Sequence, residues 1–134
     1  MSQENVDTVQ AIWRTFMRSG FPADAFSDDV EWFTAADLPD GGAGSEPLRG
    51  PAQVAQMLAD GWQTVDDPWL RADEFLDCGD SVLVTWRGGG TSRVGRVPVE
   101  WREAHIYALV DGKVCRVREF RTRAEALEAV GLSE

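Results

Sequence analysis

Histidine and cysteine are scarce in this sequence, which has one His and two Cys among its 134 residues. Cys78 and Cys115 lie far apart and form no C-x-x-C pair, so they predict reduced thiols rather than a disulfide framework. One histidine and two separated cysteines make no ligand cluster of recognised spacing, and we therefore expect no metal site. A phosphate-binding loop is also missing, because Gly88-Gly89-Gly90 follows a predicted strand but opens no helix. The sequence implies no cofactor.

Positive charge is also in short supply, with 13 Lys and Arg against 23 Asp and Glu and a net charge of -10. A surface of this sign repels phosphate backbones, which argues against nucleic acid as a partner. No apolar run approaches the roughly 20 residues that a bilayer span requires, and the segment MSQENVD has no basic region followed by an apolar stretch. We expect no membrane association and a cytoplasmic location.

Aromatic residues, by contrast, are plentiful, with six Trp, six Phe and one Tyr. Each brings a large, rigid apolar area, so together they must line a core or a pocket. The chain has the length of one domain and no break in composition, which predicts a single domain over residues 1–134.

Hydrophobic periodicity predicts three helices. Apolar residues recur at helical spacing over residues 4–19, and Val54, Leu58 and Trp62 form the stripe of a second helix that begins near residue 51. Thr122 and Glu125 form a capping-box pattern ahead of the third. Between the first two helices, residues 30–35 are predicted as a strand, and residues 36–50, rich in Gly and Pro, as a long loop that is either a pocket cover or plain disorder.

Four further strands are predicted over residues 70–76, 82–87, 97–109 and 114–120. The Asp111-Gly112 pair favours a tight hairpin turn, so the last two strands should pair antiparallel. This element order predicts an α+β fold, in which an antiparallel sheet carries its helices on one face.

Several segments resemble the SnoaL-like group of the nuclear-transport-factor-two-like superfamily: FSDDVEWF at 26–33, GDSVLV at 79–84, AHIYALVDGKV at 104–114 and EFRTRAEALEAVGL at 119–132. The resemblance implies a cone-shaped, curved, mostly antiparallel sheet packed on about three helices and enclosing an apolar pocket. It also implies a homodimer through the outer sheet face, where Arg116, Arg118 and Phe120 would lie. The superfamily includes isomerases, cyclases, dehydratases, epoxide hydrolases and non-catalytic binders, so the resemblance leaves the activity open.

Individual positions narrow the chemistry that the resemblance allows. Thr34 matches the aspartate base of ketosteroid isomerase and cannot replace it, while His105 matches the protonated acid that donates to the oxyanion in that enzyme. The Asp-Arg-Asp set of limonene-epoxide-hydrolase-like members is matched by Gly88, Trp86 and Glu119. Only the last of these is an acid, which argues against that chemistry.

His105 is the leading candidate for chemistry, because histidine exchanges protons near neutral pH. Strand alternation groups it with Trp101, Glu103 and Tyr107. Glu103, or Glu119 on the neighbouring strand, would orient the imidazole or share its protons, and Tyr107 would place a phenol in the pocket. The alternatives are a buried histidine satisfied by one hydrogen bond, carboxylates in surface ion pairs with arginines, and a tyrosine that only packs.

The pocket walls are expected to come from residues that pattern and resemblance turn inward: Trp13, Met17, Trp32, Thr34, Trp62, Trp86 and Trp101. The leading hypothesis is a cofactor-independent enzyme of polyketide-cyclase or isomerase type, which moves protons on an apolar carbonyl compound. The second is a protein that binds a small apolar ligand without turnover. The third is an interaction subunit with a vestigial pocket.

Overall fold

The computed structural model describes residues 2–34 and 46–132. This part of the chain has three α-helices, which are α1 (Ser2–Arg18), α2 (Gly50–Trp62) and α3 (Arg123–Ala129). Its six strands are β1 (Phe26–Phe33), β2 (Leu48–Arg49), β3 (Val65–Asp77), β4 (Ser81–Ser92), β5 (Pro98–Val110) and β6 (Lys113–Phe120). None of the described helices is long and apolar enough to cross a membrane.

The six strands form one sheet in the order β2-β1-β6-β5-β4-β3. β1 pairs with β6 in parallel, and the other neighbouring pairs are antiparallel. Register shifts interrupt the ladders of β3 with β4 and of β5 with β6. Bulges of this kind bend and twist a strand, and they give the sheet its curvature. The predicted α+β class, with a mostly antiparallel curved sheet and three helices, is confirmed.

Side chains alternate across the long strands and make both faces of the sheet apolar. On the inner face, Val84 and Tyr107 belong to one buried cluster with Val9 of α1 and Val54 of α2. On the outer face, α3 covers a second buried cluster, formed by Leu83, Ala104, Ile106, Phe120, Ala126 and Leu127. The prediction that the helices gather on one face is therefore wrong for α3, because β4 and β5 carry apolar residues at the alternate positions as well.

The outer face bears on the predicted homodimer. Phe120, which we expected on an open dimer face, is only 4% exposed because α3 packs over it. Arg116 and Arg118 lie on the same face, exposed and half-buried respectively. The homodimer stays a prediction, and α3 covers part of the face on which its interface was expected.

Two local signals in the sequence correspond to turns in the structure. Asp111 and Gly112 join β5 to β6 with φ values of 53° and 78°, the positive values that a tight hairpin of this type requires. The Oγ1 of Thr122 accepts a hydrogen bond of 3.1 Å from the backbone N–H of Glu125 and caps α3. The predicted hairpin and the predicted helix start are both confirmed.

The predicted loop over residues 36–50 has a mixed outcome. Residues 36–45 lie outside the described residues. The prediction is wrong at its end, because Leu48–Arg49 pair with β1 and α2 begins at Gly50. Pairing with a strand far away in sequence overrides the local breaker signals here, since β-structure depends strongly on its partners.

The three consecutive glycines do not follow a strand but lie inside β4, where space is short. A Cβ at Gly88 would lie 2.8 Å from Cζ3 of Trp86 and 3.0 Å from Cη2 of Trp62. A Cβ at Gly89 would lie 2.2 Å from the carbonyl oxygen of Val99 on β5. Because these glycines have no side chain, the indoles of Trp62 and Trp86 and the backbone of β5 can approach β4 closely.

Replacing Gly89 by Ala should lower the free energy of unfolding by roughly 1–3 kcal/mol, because the backbone of β5 must move to admit the methyl group. The matched control is Gly61→Ala in α2, where nothing lies within 4 Å of the new Cβ. That change should leave stability unchanged or raise it by up to about 1 kcal/mol, since Ala favours helix over Gly. Urea unfolding of both variants measures the difference, and equal stabilities would contradict the tight approach at Gly89.

Candidate active site

A cavity of about 240 Å³, here called the inner cavity, lies between the sheet and the helices α1 and α2. Its walls are mostly apolar, and four predicted tryptophans contribute to them together with His105 and Tyr107. The lining residues are Trp13, Phe16, Gly20, Phe21, Trp32, Ala55, Leu58, Ala59, Trp62, Leu70, Trp86, His105 and Tyr107. An apolar cavity with a few polar groups is the usual form of a small-molecule site.

A second cavity, of about 300 Å³, shares Leu58, Trp62, Trp86 and His105 with the inner cavity. We call it the acidic cavity, because Glu103 and Glu119 belong to its lining. Its other lining residues are Met57, Gly61, Thr64 and Trp101. His105 therefore lies in the wall between an apolar space and an acidic one.

Two residues expected in the pocket walls lie elsewhere. Met17 is 44% exposed and lines a surface depression next to the inner cavity, with Trp69 and Leu70, because it lies one turn beyond Trp13 at the end of α1. Thr34 follows the last residue of β1 and lines neither cavity. Alternation along β1 does turn Trp32 inward, but the cavity ends before the strand does.

Several wall residues were not anticipated from the sequence. Phe16, Leu58 and Leu70 fit the predicted apolar stripes of α1, α2 and β3, so periodicity marked them as buried without separating core from cavity. Phe21 follows the end of α1, where no repeating pattern identifies it. It stacks on Phe26 at a ring distance of 4.7 Å and so closes this end of the cavity with an aromatic pair.

The side chain of His105 points inward from the middle of β5 and is 4% exposed. Its main-chain neighbours are Val84 on β4 and Glu119 on β6, so the side chain of Glu119 stands beside it on the same face. The indole N–H of Trp86 donates a hydrogen bond of 3.0 Å to Nε2 of His105. On the other side of the ring, Nδ1 lies 3.4 Å from the hydroxyl oxygen of Tyr107.

The hydrogen bond from Trp86 favours one tautomer of the neutral imidazole. An indole nitrogen is only a donor, so this bond needs the lone pair of Nε2 and places the proton of a neutral ring on Nδ1, whereas the 3.2 Å contact of Nε2 with Oε1 of Glu103 is a hydrogen bond only when Nε2 carries a proton. That proton faces Tyr107 Oη. The unprotonated Nε2, the nitrogen that can act as a base, lies on the side of the ring where the carboxylates are.

Two carboxylates flank Nε2 of His105. Oε1 of Glu103 lies 3.2 Å from it, and Oε2 of Glu119 lies 3.9 Å from it. Glu119 is itself held by the indole N–H of Trp32, at 2.6 Å. A proton on Nε2 therefore has the carboxylate oxygens of Glu103 and Glu119 beside it as partners.

The surface ion pairs considered for these carboxylates are made by other acids. Arg87 binds Asp73 through two contacts of 2.8 Å, and Arg102 pairs with Glu100 at 3.4 Å. Both arginines lie on the outer side of their strands by alternation. The side chain of Glu103 instead lies beside the histidine. This is the first of its two predicted roles, as a partner of the imidazole rather than of a surface arginine.

Tyr107 is completely buried beside the imidazole. Burial raises the pKa of its phenol well above the usual range, and the nearby Trp13 indole offsets this only in part. The phenol therefore keeps its proton at neutral pH and acts as a hydrogen-bond donor. The Trp13 N–H is itself buried and makes no hydrogen bond of standard geometry within the described residues.

The structure brings together a set of potential metal ligands that spacing in the sequence did not reveal. One ligand atom each from Glu103, His105 and Glu119 lies within 4.8 Å of the others. Recognised metal-ligand spacings rely on several histidines or cysteines close together in sequence, whereas here strand pairing joins two glutamates to one histidine. A metal ion bound to Nε2 would have to displace the Trp86 N–H that occupies its lone pair.

Comparison with known proteins identifies the family. A profile of the SnoaL-like domain matches residues 21–117, whereas curated proteins give no significant match. Among solved structures, an NTF2-like protein of unknown function from Burkholderia pseudomallei has 21% identity and a TM-score of 0.72, over 95% of this chain and 97% of that chain. TerC co-crystallized with polyporic acid has 22% identity and a TM-score of 0.69, over 96% and 98%.

A putative SnoaL-like polyketide cyclase from Jannaschia sp. CCS1 has 16% identity and a TM-score of 0.70, over 98% of this chain and 94% of that chain. At such identities the solved structures establish the shared fold and not a shared activity. The profile match is the stronger finding, because it spans most of the sequence. This chain belongs to the SnoaL-like domain family.

Proposed function

We propose that this protein is a cofactor-independent enzyme that binds a small apolar carbonyl compound and moves a proton on it, with His105 as the acid and base. Membership of the SnoaL-like family supports a small-molecule isomerase, cyclase or binding role. The observation that carries the proposal is the position of His105, whose ring lines both cavities and whose Nε2 is flanked by two carboxylates.

In the proposed reaction, the ligand carbon next to the carbonyl gives its proton to Nε2 of His105. The Trp86 N–H leaves the lone pair as this happens, and the new N–H pairs with Glu103. The electron pair of the broken C–H bond moves into an enolate, whose oxygen accepts a hydrogen bond from the phenol of Tyr107. In an isomerisation, the imidazolium returns the proton to another carbon of the enolate. In a cyclisation, the enolate carbon forms a bond to the carbon of a second carbonyl group of the ligand, and the imidazolium gives the proton to the oxygen of that group.

The inner cavity suits this chemistry because its walls are mostly apolar. Apolar and aromatic side chains surround the polar groups, and electrostatic interactions are stronger in such surroundings than in water. The carboxylates meet the imidazolium only after it gains its proton, so their attraction lowers the energy of the charged intermediate rather than of the resting site.

A second candidate is a protein that binds its ligand without turnover. The observation in its favour is Thr34, which stands where ketosteroid isomerase has its base and which lines neither cavity. Native mass spectrometry of the purified protein would identify a retained ligand in either case. Proton exchange on a bound ketone separates the two candidates, because only the enzyme catalyses it.

The proposal predicts catalysed exchange of the α-protons of 2-tetralone in D₂O, followed by NMR. His105→Ala and His105→Gln should both lose about 10²–10⁴-fold in rate, the usual contribution of a positioned acid or base. Glutamine still donates a hydrogen bond but cannot relay a proton, so loss in both variants indicates acid–base chemistry, and loss in Ala alone indicates hydrogen bonding. The free energy of unfolding should fall by only about 1–3 kcal/mol in His105→Ala.

Glu100→Gln is the matched control, because Glu100 lies on the same strand but faces away from the cavities and pairs with Arg102. Its exchange rate should equal that of the wild type. If the wild type binds the ketone without exchanging its protons, the enzyme proposal is wrong and the second candidate, a binding protein without turnover, is supported. Full exchange activity in His105→Ala would show that His105 is not the acid and base.

Replacing Trp86 by Phe should slow proton exchange by about 3–10-fold, because the ring remains but the hydrogen bond that orients Nε2 is lost. The dissociation constant for the ketone, measured by fluorescence titration, should change much less than the rate. A rate unaffected by Trp86→Phe would show that the indole N–H does not position the histidine.

A further inference from the structure

We propose that the acidic cavity is a subsite for an organic cation, such as a protonated or methylated amino group, on the ligand that occupies the inner cavity. The inference deepens the proposed function and rests on it in one respect, since the same ligand is taken to lie in the inner cavity. The proposed subsite concerns binding alone, and it can be present whether or not the protein catalyses proton transfer.

Three tryptophans form the apolar walls of this subsite. The rings of Trp62 and Trp101 stand perpendicular, with centroids 5.7 Å apart and an interplanar angle of 86°. Trp86 belongs to the same lining and continues the wall toward His105. Trp62 and Trp101 are in edge-to-face contact with each other, so each offers the cavity only the ring surface that this contact leaves open. Indole faces carry negative electrostatic potential, and aromatic cages hold substituted ammonium groups in proteins.

The charges around the cavity have the matching sign. Glu103 and Glu119 belong to the lining, and among the described residues neither cavity is lined by Lys or Arg. The nearest arginines on β4 and β5 are engaged outside the cavities, Arg87 with Asp73 and Arg102 with Glu100. A carboxylate or phosphate on the ligand would find no counter-charge there, whereas a cation finds two carboxylates and a net protein charge of -10.

The position of the subsite suits a group that keeps part of its hydration. Trp101 is 37% exposed and the Glu103 side chain 25% exposed, so the acidic cavity reaches the surface, while the Glu119 side chain, at 11%, lies deeper. The apolar body of a ligand in the inner cavity can therefore place a charged substituent near solvent. Its full desolvation, which would be costly, is not required.

An organic cation fits these residues better than a metal ion does. The lone pair of Nε2 is engaged by the N–H of Trp86, and the near oxygen of Glu119 accepts the N–H of Trp32. A metal would displace one or both of these donors and bring positive charge against the N–H edges of two indoles. A substituted ammonium instead contacts the tryptophan rings that line the cavity and needs no lone pair from the histidine.

The experiment compares benzyltrimethylammonium with neopentylbenzene, which has the same shape without the charge. Quenching of tryptophan fluorescence should give at least tenfold tighter binding of the cation. Glu103→Gln and Trp101→Leu should each weaken the binding of the cation more than that of neopentylbenzene, so that most of this preference is lost. Glu100→Gln, which removes the same charge from the outer side of β5, should keep the preference intact.

Equal affinities for the two probes in the wild type, or an unchanged preference in Glu103→Gln, would overturn the subsite. The same holds if ZnCl₂ alone raises the melting temperature in a Glu103-dependent way while the cation shows no preference, since the cluster would then be a metal site. Exchange of ketone protons without cation preference overturns only this inference. Cation preference without exchange supports the subsite and overturns the proposed enzyme.

Discussion

The hydrogen bond from the indole N–H of Trp86 to Nε2 of His105 is the contact on which the rest of the site depends. Because an indole can only donate, the bond favours a neutral ring with its proton on Nδ1, beside Tyr107, over the tautomer in which Nε2 donates to Glu103. It also holds the ring between the two cavities, within reach of Glu103. Without it, the same residues would be a buried histidine near two acids, with no defined base.

The pairing of the strands brings the residues of this contact together. Strand pairing places Glu119 opposite His105, and Trp86 opposite Glu103, so four functional side chains share one face of three neighbouring strands. The space that the indole of Trp86 needs is provided two residues along β4 by Gly88, where even a methyl group would collide with it. The glycines of β4 are therefore part of the architecture of the site, although they carry no chemistry.

Much of this was predictable from the sequence, and the remainder depended on contacts that are distant along the chain. Period-two alternation placed His105, Glu103 and Tyr107 on one inward face, because that pattern is a local property of a strand. No local pattern could show that Trp32 binds Glu119 across 87 positions of sequence, or that α3 covers the outer face. The expectation that Met17 lines the pocket was wrong for a related reason. Helical periodicity predicts the buried face of a helix but not where along the helix the cavity ends.

The state of the single histidine tests this account most directly, because His105 gives the only imidazole signals in the spectrum of the protein. Long-range ¹H–¹⁵N correlation spectra of the ¹⁵N-labelled protein at neutral pH distinguish the two tautomers of the ring. We expect the neutral ring to carry its proton on Nδ1, with an unprotonated Nε2 that accepts a hydrogen bond. A ring protonated on Nε2, or one whose tautomers average as in free solution, would contradict it.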